Sequence, residues 1–431
     1  NSDLNRAEYL SVEVERTNHT DVVHQLRPGM PAMLFSNHDP KNDFIEGTIV
    51  WVNGNRLRLQ LRTEELPDWA DDGKLGIDLQ FDDNSYDEMR TALRAAATLY
   101  EQPKEGRLIR VLTGNAQPEA LEDVPPYTSN TLNESQQTAV NKMLQARDVA
   151  VVHGPPGTGK TTTIVQGIKE MVARGSGRIL VTAPSNAAVD LLCDRLSAEG
   201  LRVLRVGNPA RVSERLMALT LESRIAEHST IREIKRLKKQ AAEFRDMAHK
   251  YKRQFGRAER EQRKALFAEA HKIMKDVGRM EQYITDDILA HTQVVAATLV
   301  GTAHYTVRHL QYDAVVIDEA GQAIEPACWI PILKAPKVIL AGDHCQLPPT
   351  IKSDEAARGG LSTTLMEKCT QLYPQWVSML QVQYRMHEAI MGYSSRIFYG
   401  NALQAHPSVA GHTLPAAHAP LVFIDTAGCG C

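Results

Sequence analysis

The chain has 431 residues, 43% hydrophobic and 23% charged, with a formal net charge of -3. That length calls for about two to four domains of ordinary globular composition, and no apolar run approaches the roughly 18 residues that a membrane span requires. A charge this close to neutral provides no bulk attraction for polyanions, so a nucleic-acid partner has to be argued from local charge.

No secretory or lipidation signal is present, and the six cysteines (Cys193, Cys328, Cys345, Cys369, Cys429, Cys431) lack paired zinc-ligand spacing. This fits buried cysteines in a reducing compartment, and so an intracellular protein, cytoplasmic with the nucleus left open. The chain starts at Asn1 without a methionine and stops shortly after a strand-like run, Leu421 to Ile424, so a fragment is expected.

In chain order, residues 1–27 read as an N-terminal segment and 28–83 as a small β-barrel. Its strands are expected at Ala32 to Phe35, Thr48 to Val52, Arg56 to Leu61 and Ile77 to Phe81, with Asn53-Gly54 as a two-residue hairpin turn. Such a barrel serves equally as a nucleic-acid clamp or as a packing module. A helix follows from Ser85 to Tyr100, with Met89, Leu93, Ala96 and Tyr100 on one face. Gly114, Pro118, Pro125 and Pro126 then mark residues 114–131 as a linker, so that 84–130 form stalk helix and linker.

From residue 131 the pattern turns to α/β. A helix from Glu134 to Gln145 precedes strand candidates at Val149 to Val152, Arg178 to Ala183, Val203 to Val206, Val294 to Ala297, Ala314 to Ile317 and Val338 to Ala341. Most are separated by helical stretches, the pattern of a doubly wound parallel sheet whose ligands bind at the carboxyl ends of the strands. We divide this region into 131–222 and 291–372, with 373–431 beginning a truncated second domain of the same kind.

The segment 223–290 interrupts the sheet. Ile234, Leu237, Ala241, Phe244, Ala248, Tyr251 and Phe255 alternate spacings of three and four; Leu266, Ala270, Ile273, Val277, Met280, Ile284 and Ile288 do the same after Gly256. Two antiparallel helices zipped along that seam are expected. From Ile231 to Met280 there are 16 Lys plus Arg against 7 Asp plus Glu, a local charge of +9. That charge suits either contact with nucleic-acid phosphates or a solvated coiled coil.

The chemistry centres on Gly154-Pro155-Pro156-Gly157-Thr158-Gly159-Lys160-Thr161, which fits the phosphate-loop template G-x-x-x-x-G-K-[ST] at every defined position. An apolar strand leads in, and a helix from Thr161 to Val172 leads out. Glycines let backbone N–H groups point at phosphates, and the helix presents the positive end of its dipole. Lys160 is expected to reach the outer phosphates and Thr161 to hold Mg2+.

Tyr312 to Ile317 is an apolar strand ending in Asp318 and Glu319, placing one acid for the metal and the next for the attacking water. In Gly342-Asp343-His344-Cys345-Gln346-Leu347-Pro348-Pro349, Gln346 can sense a terminal phosphate. Ala183-Pro184-Ser185-Asn186 ends another strand with small polar groups, suited either to a nucleic-acid backbone or to helix capping.

LNESQ (132–136), GPPGTGKT, APSNAAVD (183–190), DEAGQ (318–322), GDHCQLPP and QYRMH (383–387), in that order, resemble the superfamily 1 group B helicases. CWIPILKA (328–335) and DTAGCG (425–430) resemble the branch holding the nonsense-mediated-decay and immunoglobulin mu-binding helicases. The resemblance implies a RecA-like domain bearing a barrel and a helical hairpin, and a 5'-to-3' ATP-driven translocase on single-stranded DNA or RNA, expected to act as a monomer.

It further implies an ATP site formed by Gly154, Pro156, Gly157, Thr158, Gly159, Lys160, Thr161 and Thr162. Gln136 would read the adenine edge, Tyr384 stack on the base, Gln346 contact the γ-phosphate and Arg385 act as an arginine finger. Thr161 and Asp318 would hold Mg2+. Ser185, Asn186, Thr298 and Gly301, with Pro184 in the same motif, fall where the family touches the strand. The family's second RecA-like domain carries a later glycine motif and a second arginine finger, and neither appears here, so weak turnover is expected of this chain.

A different class of reading is an ATP-switched single-strand-binding adaptor that does not unwind. A small-molecule kinase would share the loop but gives no reason for APSNAAVD or QYRMH, and the LSGGQ signature of transporter ATPases is absent.

Overall fold

The computed structural model describes residues 2–4, 10–17, 26–40, 42–61, 63, 66–70, 74–79, 83–207, 212–249, 257–413 and 419–421. Two compact units emerge, Asn1–Asp82 with Asn208–Thr292, and Asp83–Gly207 with Gln293–Cys431. Among the described residues no helix is long and apolar enough to cross a membrane.

The first unit opens with β1 (Ser2–Leu4), β2 (Leu10–Glu15), β3 (Pro31–Ser36), β4 (Phe44–Asn53), β5 (Arg56–Leu61) and β6 (Leu75–Leu79). They form an antiparallel half-barrel in the order β1-β2-β5-β4-β3-β6. The sheet therefore begins before residue 28, inside the segment expected to precede it. Leu10, Val12 and Val14 alternate along β2 and pair with Leu61, Leu59 and Leu57 of β5, and Leu10 and Val12 join Leu34, Ile49, Leu57, Leu59 and Leu61 in one apolar core. The hairpin turn is displaced by one residue from the expected Asn53-Gly54. Asn53 pairs with Arg56, so Gly54 and Asn55 form the loop, and Gly54 supplies the positive φ of 57°. Phe81, the expected end of the last strand, lies outside the described residues.

The chain then enters the second unit through α1 (Asp83–Tyr100), α2 (Arg107–Leu112), α3 (Glu134–Gln145), β7 (Val149–His153), α4 (Lys160–Ala173), β8 (Ile179–Ala183), α5 (Asn186–Ala198) and β9 (Val203–Arg205). The stretch around residues 107–119, which includes the start of the expected linker, is tied to this unit by hydrogen bonds. Arg107 grips Asp148 through Nε and Nη2, both at 2.8 Å, and Asp148 also accepts the Glu119 N–H at 2.9 Å. Tyr373 donates its hydroxyl to the carbonyls of Val111 and Ala116 at 2.7 and 2.9 Å. Hydrogen bonds to a buried carboxylate and to backbone do here what apolar packing does elsewhere, which is why a reading from hydrophobicity misses it.

In the first unit again, α6 (Leu221–Glu227) precedes α7 (Ile231–His249) and α8 (Arg257–His291). Ile234, Ala241, Ala248, Ala270, Val277, Ile284 and Ile288 are buried along the expected seam. Lys238, in the first half of α7, pairs with Glu281, in the second half of α8, at 3.2 Å, the match that an antiparallel pair makes. Tyr251, Phe255 and Gly256 lie outside the described residues.

The second unit resumes with β10 (Val294–Thr298), β11 (Ala314–Ile317), α9 (Glu325–Ile332), β12 (Val338–Gly342), the single turn α10 (Asp354–Ala356), α11 (Leu365–Leu372), β13 (Val377–Met379), β14 (Val382–Gln383), α12 (Glu388–Phe398), β15 (Gln404–Ala405) and α13 (Pro407–Ala410). Seven strands pair in parallel in the order β13-β7-β12-β11-β8-β10-β9. Those at its centre are continuous apolar runs because helices cover both faces. The edge strand β13 has only three residues, carries the sheet past residue 372, and is too short to show a period. DTAGCG, the strand-like run from Val422 onward, Cys429 and Cys431 lie outside the described residues.

Ile284 is fully buried in the seam. Ile284→Ala is expected to destabilise the first unit by about 2–4 kcal/mol, read as a lower urea midpoint for that unit's transition, with the nucleotide affinity of the second unit unchanged.

Candidate nucleotide site and strand-binding edge

The phosphate loop leaves β7 and ends at Gly159, the N-cap of α4, with φ of 79° at Gly157 and 78° at Gly159. Both glycines are also required by space. A Cβ on Gly157 would stand 2.6 Å from Arg385 Cβ, and one on Gly159 would stand 2.6 Å from Gln136 Nε2. The loop is thus packed between the LNESQ and QYRMH segments.

A cavity of about 760 Å³ opens over the loop. Gly154 through Thr162 line it with Glu319, Gln346, Tyr384 and Arg385, and so do Leu191, Arg195, Val409 and His412, which the sequence reading did not single out. Leu191 and Arg195 are four apart on α5, a helical spacing that offers the only sequence signal for them. Nothing in the sequence marks Val409 or His412.

Lys160 Nζ lies 2.7 Å from Glu319 Oε1 and 3.5 Å from Asp318 Oδ1. Glu319 holds φ 53°, ψ 35°, the left-handed region that a side chain other than glycine occupies at a penalty of about 1–2 kcal/mol. Its N–H donates to Asp318 Oδ1 at 2.9 Å. Burial pushes the Asp318 carboxyl up, and the nearby Lys160 ammonium offsets this only in part. The buried Asp318 carboxyl beside Lys160 and the hydroxyl of Thr161, a residue of the cavity lining, are hard oxygen donors of the kind Mg2+ selects.

QYRMH forms a turn built on one buried amide. Gln383 Oε1 accepts the N–H of Arg385 and of Met386, both at 2.8 Å, and its Nε2 donates to Met386 O at 2.7 Å. The Tyr384 N–H donates to Gly157 O at 2.9 Å, docking the turn onto the phosphate loop. Tyr384 Oη accepts from Asn133 Nδ2 at 3.1 Å, and its ring lies 4.6 Å from that of His406. Gln383 was not singled out in the sequence; its role depends on being enclosed, which sequence does not display.

Gln136 lies outside the cavity wall. It completes a capping box with Asn133 at the start of α3 and donates Nε2 to Thr158 O at 3.0 Å, so it braces the loop from behind. One amide proton and one lone pair remain for an adenine edge.

The residues expected at a strand sit elsewhere on the same sheet edge. Ala183 and Thr298 are partners in the β8–β10 register, which sets Pro184, Ser185 and Asn186 beside Thr298 and Gly301. Ser185 caps α5, its Oγ accepting the Ala188 N–H at 3.2 Å. Asn186 Oδ1 accepts from Arg205 Nη2 at 2.8 Å, and Arg205, fully buried, also pairs with Asp190 at 2.9 Å. Thr298 Oγ1 accepts the Gly301 N–H at 3.1 Å. Capping uses a lone pair of Ser185 and leaves its hydroxyl proton free to donate.

His153, Asp343, His344 and Cys345 place donor atoms within 4.8 Å of one another, yet Asp343 is a hydrogen-bond hub. Oδ1 accepts from His153 Nε2 and the Cys345 N–H, both at 3.0 Å, and Oδ2 from Gln346 Nε2 and Tyr399 Oη, both at 2.8 Å. All four acceptor positions are taken, so no lone pair remains for a cation. Burial alone would raise the Asp343 carboxyl, but the hydrogen bonds from His153, Gln346 and Tyr399 outweigh it and hold the group at about 2.

A carboxyl depressed in the folded state stabilises the fold above its unfolded value, near 3.9, and that stabilisation is lost as pH falls through the folded value. The difference in unfolding free energy between wild type and Asp343→Asn should therefore shrink as pH drops from about 4 toward about 2. Urea titrations at intervals across that range will measure it.

Two family models, each described as an AAA domain, match residues 131–354 and 361–430. The chain is 37% identical over 430 residues to the DNA-binding protein SMUBP-2 of Mesocricetus auratus, covering 91% of this chain and 42% of that protein. It is 32% identical over 423 residues to the uncharacterized ATP-dependent helicase MJ0104 of Methanocaldococcus jannaschii, covering 90% and 62%. It is 33% identical over 342 residues to the Regulator of nonsense transcripts 1 homolog of Arabidopsis thaliana, covering 76% and 25%. The chain thus spans less than two thirds of each relative. With the AAA-domain match running over more than half of its length and QYRMH docked on the phosphate loop, the chain belongs to the superfamily 1 helicases, in the branch of the nonsense-mediated-decay and immunoglobulin mu-binding helicases.

Proposed function

We propose that this chain is the motor portion of an ATP-dependent helicase that moves 5'-to-3' along single-stranded DNA or RNA and hydrolyses ATP to ADP and phosphate. The supporting observation is convergence: Lys160, Glu319, Gln346, Tyr384 and Arg385 come from four separate segments and meet on one cavity over the phosphate loop.

In this reading the loop's backbone N–H groups and the N-terminus of α4 receive the phosphates, and Lys160 exchanges Glu319 for the outer phosphate oxygens. Thr161 and Asp318 hold Mg2+, which neutralises phosphate charge when bound. Freed from Lys160, Glu319 orients the attacking water, while Gln346 touches the terminal phosphate. Arg385 stabilises the charge that builds as the bond to the leaving diphosphate breaks, and Tyr384 stacks on the base. Pro184, Ser185, Asn186, Thr298 and Gly301 form the edge against which the strand's phosphates and sugars lie, with the Ser185 hydroxyl as a donor.

In a longer form that includes a second RecA-like domain, Lys160→Ala should lower strand-stimulated ATP hydrolysis by at least about 100-fold, and Arg385→Ala by about 1,000-fold with nucleotide still bound. Fluorescent single strands, DNA and RNA in parallel, should bind with a steep salt slope that changes when a non-hydrolysable ATP analogue is added. Nucleotide-dependent strand binding with no turnover in any longer form would identify the ATP-switched adaptor instead. Nucleotide binding without strand binding at any salt, in this chain and in a longer form with a second RecA-like domain, would overturn the translocase reading; strand binding by the longer form alone would place the grip in that domain.

A further inference from the structure

Asp343 is a carboxylate at the sheet edge that the mechanism above leaves unused, and its contacts converge on a residue that the mechanism does use. Its Oδ2 is shared between Gln346 Nε2 and Tyr399 Oη, each at 2.8 Å, while Oδ1 is held by His153 Nε2 and the Cys345 N–H at 3.0 Å. The Oδ1 pair fixes the rotation of the carboxylate. The Oδ2 pair then fixes where the Gln346 amide points.

Tyr399 comes from a different part of the chain. It follows α12 and packs with Met391 and Leu403 in a small apolar cluster that also takes in Met386 of QYRMH and Cys345 beside Gln346. Burial, with the adjoining Asp343 carboxylate, pushes the phenol up, so Tyr399 is a permanent donor. A core tyrosine needs only some partner for its hydroxyl; this one spends its proton on the acceptor that also holds the phosphate-facing glutamine.

We propose that Tyr399 and His153 are positioning residues for Gln346, acting through the shared carboxylate of Asp343, so that the α12 segment and the terminal-phosphate contact move as one. The inference rests on the reading of Gln346 as that contact. Removing the Tyr399 hydroxyl leaves a buried Oδ2 position unpaired, an unfavourable state. With that donor gone the carboxylate is less firmly held about its Cβ–Cγ bond, and the Gln346 amide bonded to the same oxygen loses its fixed direction.

The test compares equilibrium affinities of the full chain for ADP and for a non-hydrolysable ATP analogue, a readout of the terminal phosphate that needs no turnover. Tyr399→Phe should lower the analogue-to-ADP affinity ratio about threefold to tenfold while ADP affinity stays constant, and Asp343→Asn should do so at least as strongly. Gln346→Ala should lower the ratio as well, and Tyr399→Phe in the Gln346→Ala background should lower it no further, since the two changes act in series. A merely structural role for Tyr399 would weaken both nucleotides together or lower Tm alone. If Gln346→Ala lowers the ratio but Tyr399→Phe does not, or if their effects multiply, the relay is overturned. If Gln346→Ala leaves the ratio unchanged, the terminal-phosphate reading of Gln346 fails, and the relay with it.

Discussion

A strand buried on both faces can carry polar chemistry only at its ends, and that constraint arranges the second unit. β7, β8, β11 and β12 are buried along their whole lengths, so each withholds its reactive residues until the chain leaves the sheet. Parallel pairing brings those exits to one edge. The phosphate loop, Ser185, Glu319 and Gln346 are thus neighbours because four apolar strands are hydrogen-bonded side by side.

Geometry on that edge is set by shared acceptors more than by packing. The side-chain oxygen of Gln383 holds the QYRMH turn, the backbone oxygen of Gly157 receives that turn, and the carboxylate of Asp343 gathers four donors. The side chains of Gln383 and Asp343 are buried, so loss of either leaves polar groups without partners and loosens several segments at once.

What could be read in advance follows the same division. The six core strand candidates and the seam of the helical hairpin were legible because burial imposes a period or an unbroken apolar run over several residues. Three-residue β13 and the stretch pinned by Asp148 were not, since neither is long enough or apolar enough to leave a pattern. Within the site, Lys160, Thr161, Asp318 and Glu319 announce themselves through a template and a strand ending in acids. Gln383, Asp343 and Tyr399 are ordinary residue types whose importance lies in what encloses them. Asn186 shows the limit from the other side: a polar residue at a strand end suits a nucleic-acid backbone or helix capping, and its side-chain oxygen is given to Arg205.

The pairing of Lys160 with Glu319 bears on when the site can react. In that pair the ammonium is neutralised by the very carboxylate proposed to orient water. In the proposed mechanism, a phosphate that takes the lysine releases the acid. On the proposed reading, the general base comes into service only as the substrate takes its place, and a site built this way guards its carboxylate against reacting with anything that lacks an outer phosphate.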